Sequence, residues 1–305
     1  IADATDAALL GALAIAGREE AERWGSVRAH VTFVAMGRYG GRECSYASDA
    51  DVIALHEPVG GASDSEAAAS ATAIVNRVKK LLGSATSQLG IVVDLDLRPE
   101  GKNGPMSRTI ASHEEYAQRW ASTWERQAAV RARPIGSSDL DERARALFES
   151  MAYREVSESE VRDIRLLKAR MENERLPRGS EPARHVKLGP GGLSDVEWTI
   201  QLIQMRHGRE VEGLRTPSTT RAIAVARDAG LLAAPDAEIL LSAWDLATRI
   251  RAGNTLATGR MSGVKLDVVP RDSAELGALA AILGYGSGGL TALEEDWLRA
   301  ARQAR

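Results

Sequence analysis

VAMGRYGGRECSYASDADVIALHEP, residues 34–58, is the stretch whose reading decides the fold. It closes a β-branched run, Val31 to Met36, and then turns at Gly37-Arg-Tyr-Gly40-Gly41. It enters a second apolar run, Ala50 to Leu55, through Asp49-Ala50-Asp51. Short β-branched runs bounded by glycine read as strands. In a strand, residues i and i+2 share a face, so Asp49 and Asp51 present two carboxylates about 6–7 Å apart. Such a pair can hold a divalent cation. By itself the spacing is weak: 42 acidic residues in 305 produce roughly six such pairs by chance, and a solvated strand edge explains any one of them.

The neighbours change that weighting. Paired glycines let the backbone approach a ligand closely, and the N–H groups beyond them can meet phosphate. The turn is neither a P-loop nor a dinucleotide fingerprint, and taken alone it is a plain tight turn. Further on, Ile91-Val-Val-Asp-Leu-Asp-Leu97 reads as a third strand stopped by Pro99, with Asp94 and Asp96 on one face. Two-metal phosphoryl chemistry needs a third carboxylate beside the first two, and that residue can also accept the nucleophile's proton. A glycine turn, an Asp-x-Asp strand and a later aspartate strand, in that order, form a much rarer combination than any one part and fit two-metal phosphoryl chemistry.

Around this core, residues 3–24 and 65–88 read as helices. From about 112 onward the pattern is helical, with breaks near 134–141 and 176–184. His185-Val-Lys-Leu188 is short enough for a strand, Gly189-Pro-Gly-Gly192 is a loop, and Ser194 opens a helix to about His207. Ser194 and Glu197 have capping-box spacing, and Asp195 suits the positive end of a helix dipole. Helices at 218–232, 236–258, 273–284 and 290–304 complete the chain. The expected class is α+β: a mixed domain over 1–210 followed by a helical domain over 211–305. The first comprises an N-terminal helix 3–24, a sheet core about 29–135, a helical insertion and a strand-loop-helix at 184–207.

Lys187 and Arg98 are phosphate candidates, as are Arg126, Arg131 and Arg133, although an arginine on a helix is usually a solvated face. Trp120 and Trp124, four residues apart, read as core. The five histidines lack metal-ligand spacing.

Composition bounds the remainder. Net charge is −3 with both signs interspersed, which argues against a nucleic-acid partner such as a tRNA for an RNA nucleotidyltransferase. Cys44 is the single cysteine, so no internal disulfide can form; it reads as structural, and a cytoplasmic setting is expected. No apolar run approaches membrane-span length and no signal peptide precedes the first helix, so no membrane partner is expected. A chain opening at Ile1 rather than Met suggests a fragment.

Four segments taken together resemble bacterial glutamine synthetase adenylyltransferase: residues 34–58 above, VVDLDLRPEGKNGPMSRT at 92–109, TWERQAAVRARPI at 123–135, and HVKLGPGGLSDVEWTIQLIQMRHG at 185–208. The likeness spans nearly the whole chain. It implies a polymerase-β-like nucleotidyltransferase fold backed by a helical domain. Members of this family carry two such halves, one adenylylating glutamine synthetase and one removing AMP by phosphorolysis. The wording SDADVIALHEP and VDLDLRPEG, and the tail LEEDWLRAARQAR, are more similar to the C-terminal, adenylylating half.

Position by position, the resemblance implies Asp49, Asp51 and Asp94 as catalytic metal ligands. It implies Gly40, Gly41, Ser48, Arg98, Lys187, Gly191, Gly192, Asp195 and Glu197 on the nucleotide side. Asp96 stands where many relatives carry arginine, a departure from the pattern. The implied reaction moves AMP from ATP to a tyrosine hydroxyl of glutamine synthetase with two Mg²⁺ ions, releasing pyrophosphate, with Asp94 as general base. Glutamine synthetase is then the protein substrate and a PII-type signal protein a possible regulator. The alternatives are the phosphorolytic deadenylylating half and a non-catalytic nucleotide-binding regulatory module.

Overall fold

The computed structural model describes residues 1–46, 48–83, 90–177, 179–286 and 289–305. Its chain order begins with helix α1 (Ala2–Trp24), strand β1 (Ala29–Ala35), the four-residue helical turn α2 (Gly37–Gly40) and strand β2 (Ala50–Pro58). Helix α3 (Asp64–Leu82) follows; its expected continuation over 84–88 lies outside the described residues. Strands β3 (Val93–Asp94) and β4 (Ser107–Thr109) come next, then α4 (Ile110–Arg119), α5 (Thr123–Ala129), β5 (Arg133–Pro134) and α6 (Asp139–Ala152).

These elements form the first of two compact units, Ile1–Cys44 and Ser48–Arg154 with Thr216–Ser218 added. Its sheet runs β3-β2-β1-β5, with β4 also pairing β2. β1 is antiparallel to both neighbours, whereas β3 and β4 lie parallel to β2. The period-2 pattern of β2 decides what each face covers. Val52 and Ala54 join Phe33 and Ala35 under α1 and α3, meeting Leu9, Ile74, Val75 and Val78. The opposite face, with Asp51, Ile53 and Leu55, is covered by α4 and α6. Caps fix the helix starts: Ser63 with Glu66 on α3, Ser122 with Glu125 on α5, and Ser138 with Asp141 on α6. Asp141 also accepts from Thr32 on β1, tying α6 to the sheet.

Two expectations fail in this unit. The strand expected over 91–97 is only Val93–Asp94, because the Asp94 carboxylate accepts the Asp96 backbone N–H at 2.6 Å and bends the chain into a turn. Asp96 therefore leaves the strand. Trp120 is 74% exposed and Trp124 40%, not core. Trp120 ends α4 and Ser122 starts α5, so the two rings do not share one helix.

His113 is buried beneath the sheet between Tyr116 and Phe148, and its Nδ1 has no hydrogen-bond partner. Burial, with the Arg108 charge second, pushes its pKa down to about 4. Below pH 6.5 the unfolded chain binds a proton that the folded chain refuses, so stability falls as pH drops and the loss is complete near pH 4. The shift amounts to about 3 kcal/mol. His113→Phe should flatten the urea-midpoint profile between pH 6.5 and 4 by roughly that amount. A variant profile parallel to wild type would exclude His113 as the source.

The second unit is Ser45–Ala47, Glu155–Arg215 and Thr219–Arg305. Its helices are α7 (Glu158–Arg175), α8 (Leu193–His207), α9 (Thr219–Asp228), α10 (Ala234–Thr258), α11 (Ser273–Ile282) and α12 (Gly289–Gln303). The core gathers Ile200, Leu214, Ile223, Trp244, Ile250, Leu279, Leu293 and Trp297. The Trp297 indole donates to Ala183 O at 2.8 Å. The expected strand at 185–188 is a single bridge, His185 to Val268, followed by a turn. Packing puts the division at Arg154/Glu155, not 210/211, because α8 packs on α9 and α10. Among the described residues no helix is long and apolar enough to cross a membrane.

Candidate functional site

The register of β2 assembles the carboxylates. In the parallel pairing of β2 with β3, Asp51 stands directly opposite Asp94. Parallel neighbours are about 4.8 Å apart and point the same way, so these two carboxylates are side by side. Asp49 lies two residues before Asp51 and is exposed, one residue outside β2. Asp94 Oδ1 accepts the Asp96 N–H, so one of its two oxygens is engaged in the turn. Asp96 itself faces Lys102 at 3.3 Å and Arg98 at 3.9 Å and belongs to the turn.

The antiparallel partner supplies the other wall. Ala35 pairs with Val52, so Met36 comes opposite Asp51 and its N–H donates to Asp51 O at 2.9 Å. The next residue, Gly37, has φ +51°, and a Cβ there would stand 3.1 Å from Asp51 Oδ2. Gly37 is thus the glycine that faces the carboxylates. The expected pair, Gly40 and Gly41, serves a different need. A Cβ on Gly40 would lie 1.9 Å from Arg131 O, and one on Gly41 would lie 2.6 Å from the Arg131 guanidinium. Their smallness admits the Arg131 backbone and side chain rather than a phosphate chain.

The arginines of 123–135 are structural for the same reason. Arg131 Nε donates to Gly37 O at 3.0 Å and Nη2 reaches Glu43 at 2.6 Å. Arg133 Nε donates to Gly40 O at 3.0 Å, and its two terminal nitrogens grip Asp6 on α1 at 2.9 Å each. Tyr39 donates to the same Asp6 at 2.6 Å. Arg126 is buried and donates to Met151 O and Arg154 O. A buried guanidinium must fill its donors. These three do so with carbonyls and carboxylates, which withdraws them as phosphate candidates. Arg98 likewise donates to Leu95 O at 2.9 Å and Gly104 O at 3.2 Å, closing the turn after β3. Ser48 is half-buried just ahead of Asp49. Burial pushes the Cys44 thiol up, opposed by Arg38, so it stays protonated at neutral pH.

The second group of expected residues lies in the second unit. Lys187 is half-buried in the turn after the His185 bridge. Gly191 has φ +71°, and a Cβ on it would stand 1.8 Å from Ala301 O of α12, so only glycine fits. Gly192 is also close-packed: a Cβ on it would stand 2.7 Å from Val186 O. The capping box expected of Ser194 and Glu197 does not form, because α8 starts at Leu193 with Gly192 as its cap. Asp195 instead accepts the Gly191 N–H at 2.6 Å and pairs with Lys168 of α7. Glu197 is half-buried one turn into α8.

Among the described residues no three His, Cys, Asp or Glu side chains are grouped as a ready-made metal cage. An all-oxygen pair suits Mg²⁺, which is bound by one or two carboxylates and completes its shell with water and substrate phosphate. The donor set at Asp51 and Asp94, with Asp49 beside it, fits that mode.

Comparison with known proteins follows the same division. Residues 1–148 match the sequence model of the glutamate-ammonia ligase adenylyltransferase family, and residues 165–305 match that of GlnD PII-uridylyltransferase. The gap between the two matches spans the Arg154/Glu155 division. A bifunctional glutamine synthetase adenylyltransferase/adenylyl-removing enzyme of Streptomyces coelicolor is 45% identical over 309 residues, covering 100% of this chain and 30% of that protein. The protein of the same name from Bifidobacterium longum is 44% identical over 313 residues, covering 99% and 29%. That from Mycobacterium marinum is 38% identical over 302 residues, covering 98% and 30%. The chain therefore spans about 30% of the length of the curated relatives it matches. Matched from end to end by one segment of these enzymes, it belongs to the glutamine synthetase adenylyltransferase family.

Proposed function

We propose that this chain transfers AMP from ATP to a tyrosine hydroxyl of glutamine synthetase. The observation that carries the reading is the Asp51–Asp94 pairing at the edge of β2, with Asp49 beside it and Gly37 opposite. In this reading the first unit, which bears all three carboxylates, carries the polymerase-β-like nucleotidyltransferase core.

Asp49, Asp51 and Asp94 are the residues that would hold Mg²⁺, one ion or two. Bound there, Mg²⁺ lowers the pKa of the attacking hydroxyl and neutralises charge on the phosphates. Asp94 Oδ2, its partner oxygen already held by the Asp96 N–H, is positioned to take the phenolic proton. The need is real, since a tyrosine hydroxyl with pKa about 10 is a poor nucleophile at neutral pH. Gly37 keeps the wall opposite Asp51 free of a side chain, and within the second unit the family resemblance makes Lys187 a candidate for phosphate. Gly191 and Gly192 shape the Lys187 turn, and the PII-type protein remains a candidate regulator in the intact enzyme.

The test is a two-direction assay on the folded chain. In the forward direction, labelled AMP from ATP and Mg²⁺ should enter glutamine synthetase with release of pyrophosphate. In reverse, adenylylated glutamine synthetase and phosphate should yield ADP if the chain is the removing half, the activity also named in its relatives. A folded chain inert in both directions would overturn the reading.

A further inference from the structure

Lys168 of α7 is not among the residues that the sequence singles out, yet it is anchored to the loop bearing Lys187. Its ammonium pairs with two carboxylates, Glu172 one turn along α7 and Asp195 at the start of α8. The Lys168 and Asp195 side chains are only 17% and 18% exposed. Burial opposes the charged form of Lys168, but the bonds to Asp195 and Glu172 outweigh it and leave its pKa above the ordinary lysine value.

The second carboxylate oxygen of Asp195 holds the Gly191 N–H at 2.6 Å. Gly191 is pressed from the other side by the α12 backbone at Ala301. The loop is closed further by Ser194 N–H on Lys187 O at 3.0 Å and Leu193 N–H on Val186 O at 2.9 Å. Both oxygens of Asp195 are thereby engaged. Among the described residues Lys187 itself makes no ion pair, although Asp195 is the acid that closes its own loop.

We infer that Lys168 is a positioning residue: by neutralising Asp195 it keeps the Gly191 clamp closed and leaves the Lys187 ammonium free for an anionic ligand, the polyphosphate of a nucleotide. Asp195 then acts on the loop rather than on the nucleotide or a metal. Without Lys168, Asp195 would face Glu172 uncompensated and would draw Lys187 to itself, since unpaired charge in a half-buried site seeks the nearest counter-ion. The inference rests on the reading that this loop serves nucleotide.

Native-state hydrogen exchange at the Gly191 amide reads the clamp in the intact chain without turnover. Lys168→Met should speed exchange there at least tenfold. Adding Asp195→Asn, whose amide oxygen can still accept the Gly191 N–H but carries no charge, should bring exchange back to within about threefold of wild type. The KM for ATP should follow the same pattern, rising about tenfold in Lys168→Met and recovering in the double variant, with kcat changing less than KM. Unchanged exchange in Lys168→Met, a double variant as impaired as the single one, or a KM indifferent to both would each overturn the inference. A merely structural lysine predicts no recovery on removing a second side chain. If Lys168→Met fails to fold, Lys168→Gln takes its place. Full AMP transfer by Asp51→Asn would instead sink the proposed function, and the exchange data would still judge the clamp.

Discussion

Asp51→Asn should lower AMP incorporation into glutamine synthetase by on the order of 10³-fold or more, while the unfolding midpoint stays level or rises. The two halves of that result come from one arrangement. Asp51 is directly opposite Asp94 in a parallel pair, so two carboxylates share one face of the sheet at neighbour distance. In the absence of a cation such a pair repels, and replacing one carboxylate by an amide of the same shape removes the repulsion. With substrate bound, the same replacement removes one of the three carboxylates that would hold Mg²⁺ against the phosphates, a loss of several kcal/mol of transition-state stabilisation. A carboxylate kept for structure behaves differently, since its loss lowers activity and stability together. Asp96→Asn is the internal control. Asp96 is exposed in the turn and faces Lys102, so its loss should change the rate only a few-fold. Rate and midpoint are measured on the same preparations by labelled-AMP incorporation and thermal unfolding. An Asp51→Asn enzyme within tenfold of wild type would remove the carboxylates from the mechanism.

Arg131→Ala should destabilise the first unit by about 3–5 kcal/mol, or roughly 10 °C in its midpoint. Arg131 is 3% exposed and its Glu43 partner 11% exposed at the side chain, so the pair is withdrawn from water. Truncation removes the Arg131 charge from Glu43, takes one of two donors from Gly37 O and opens a cavity where the guanidinium fills the space over Gly41. Arg131→Lys should recover little, because a point charge cannot reach Gly37 O and Glu43 in the fork geometry that a guanidinium spans. Gly37 faces Asp51, so the loosened turn should also lower AMP transfer even at temperatures where the variant is folded. Urea unfolding beside the incorporation assay checks both effects. A cost below 1 kcal/mol would mark the pair as no more than a surface contact.

Much of the wall that bears Asp51 was legible in the chain because strand chemistry is local. Period 2 places Asp51 and Ile53 on one face whatever the partner, and the β-branched runs around residues 31–55 have few alternatives to pairing. Cap spacing was less reliable: Ser194 and Glu197 have it, but α8 starts at Leu193 and no box forms there. Asp96 was misplaced because a side chain–backbone bond from Asp94 competes with the ladder, and nothing in an alternating VVDLDL pattern announces which wins. The Trp pair was misread because four residues mean one helical turn only when one helix runs through them.

The glycines and arginines show where sequence stops. GRYGG and PGG looked like ligand cradles, but what they admit is protein: Arg131 at Gly40 and Gly41, the α12 backbone at Gly191. A glycine reports that something approaches closely and does not report what, since the approaching group comes from elsewhere in the chain. Lys168 had no local signal at all, because its partner Asp195 lies on another helix. By itself, then, the sequence determined the strands β1 and β2, with Asp51 on the second, and the family, all of which depend on residue identity and near-neighbour periodicity. Only the tertiary structure decided that Asp94 pairs in register with Asp51 while Asp96 turns out of the strand, that Gly37 is the glycine facing Asp51, and that the arginines are staples. Those outcomes follow from strand register and from the requirement that buried charge find a partner, and both are settled by segments far apart in the chain.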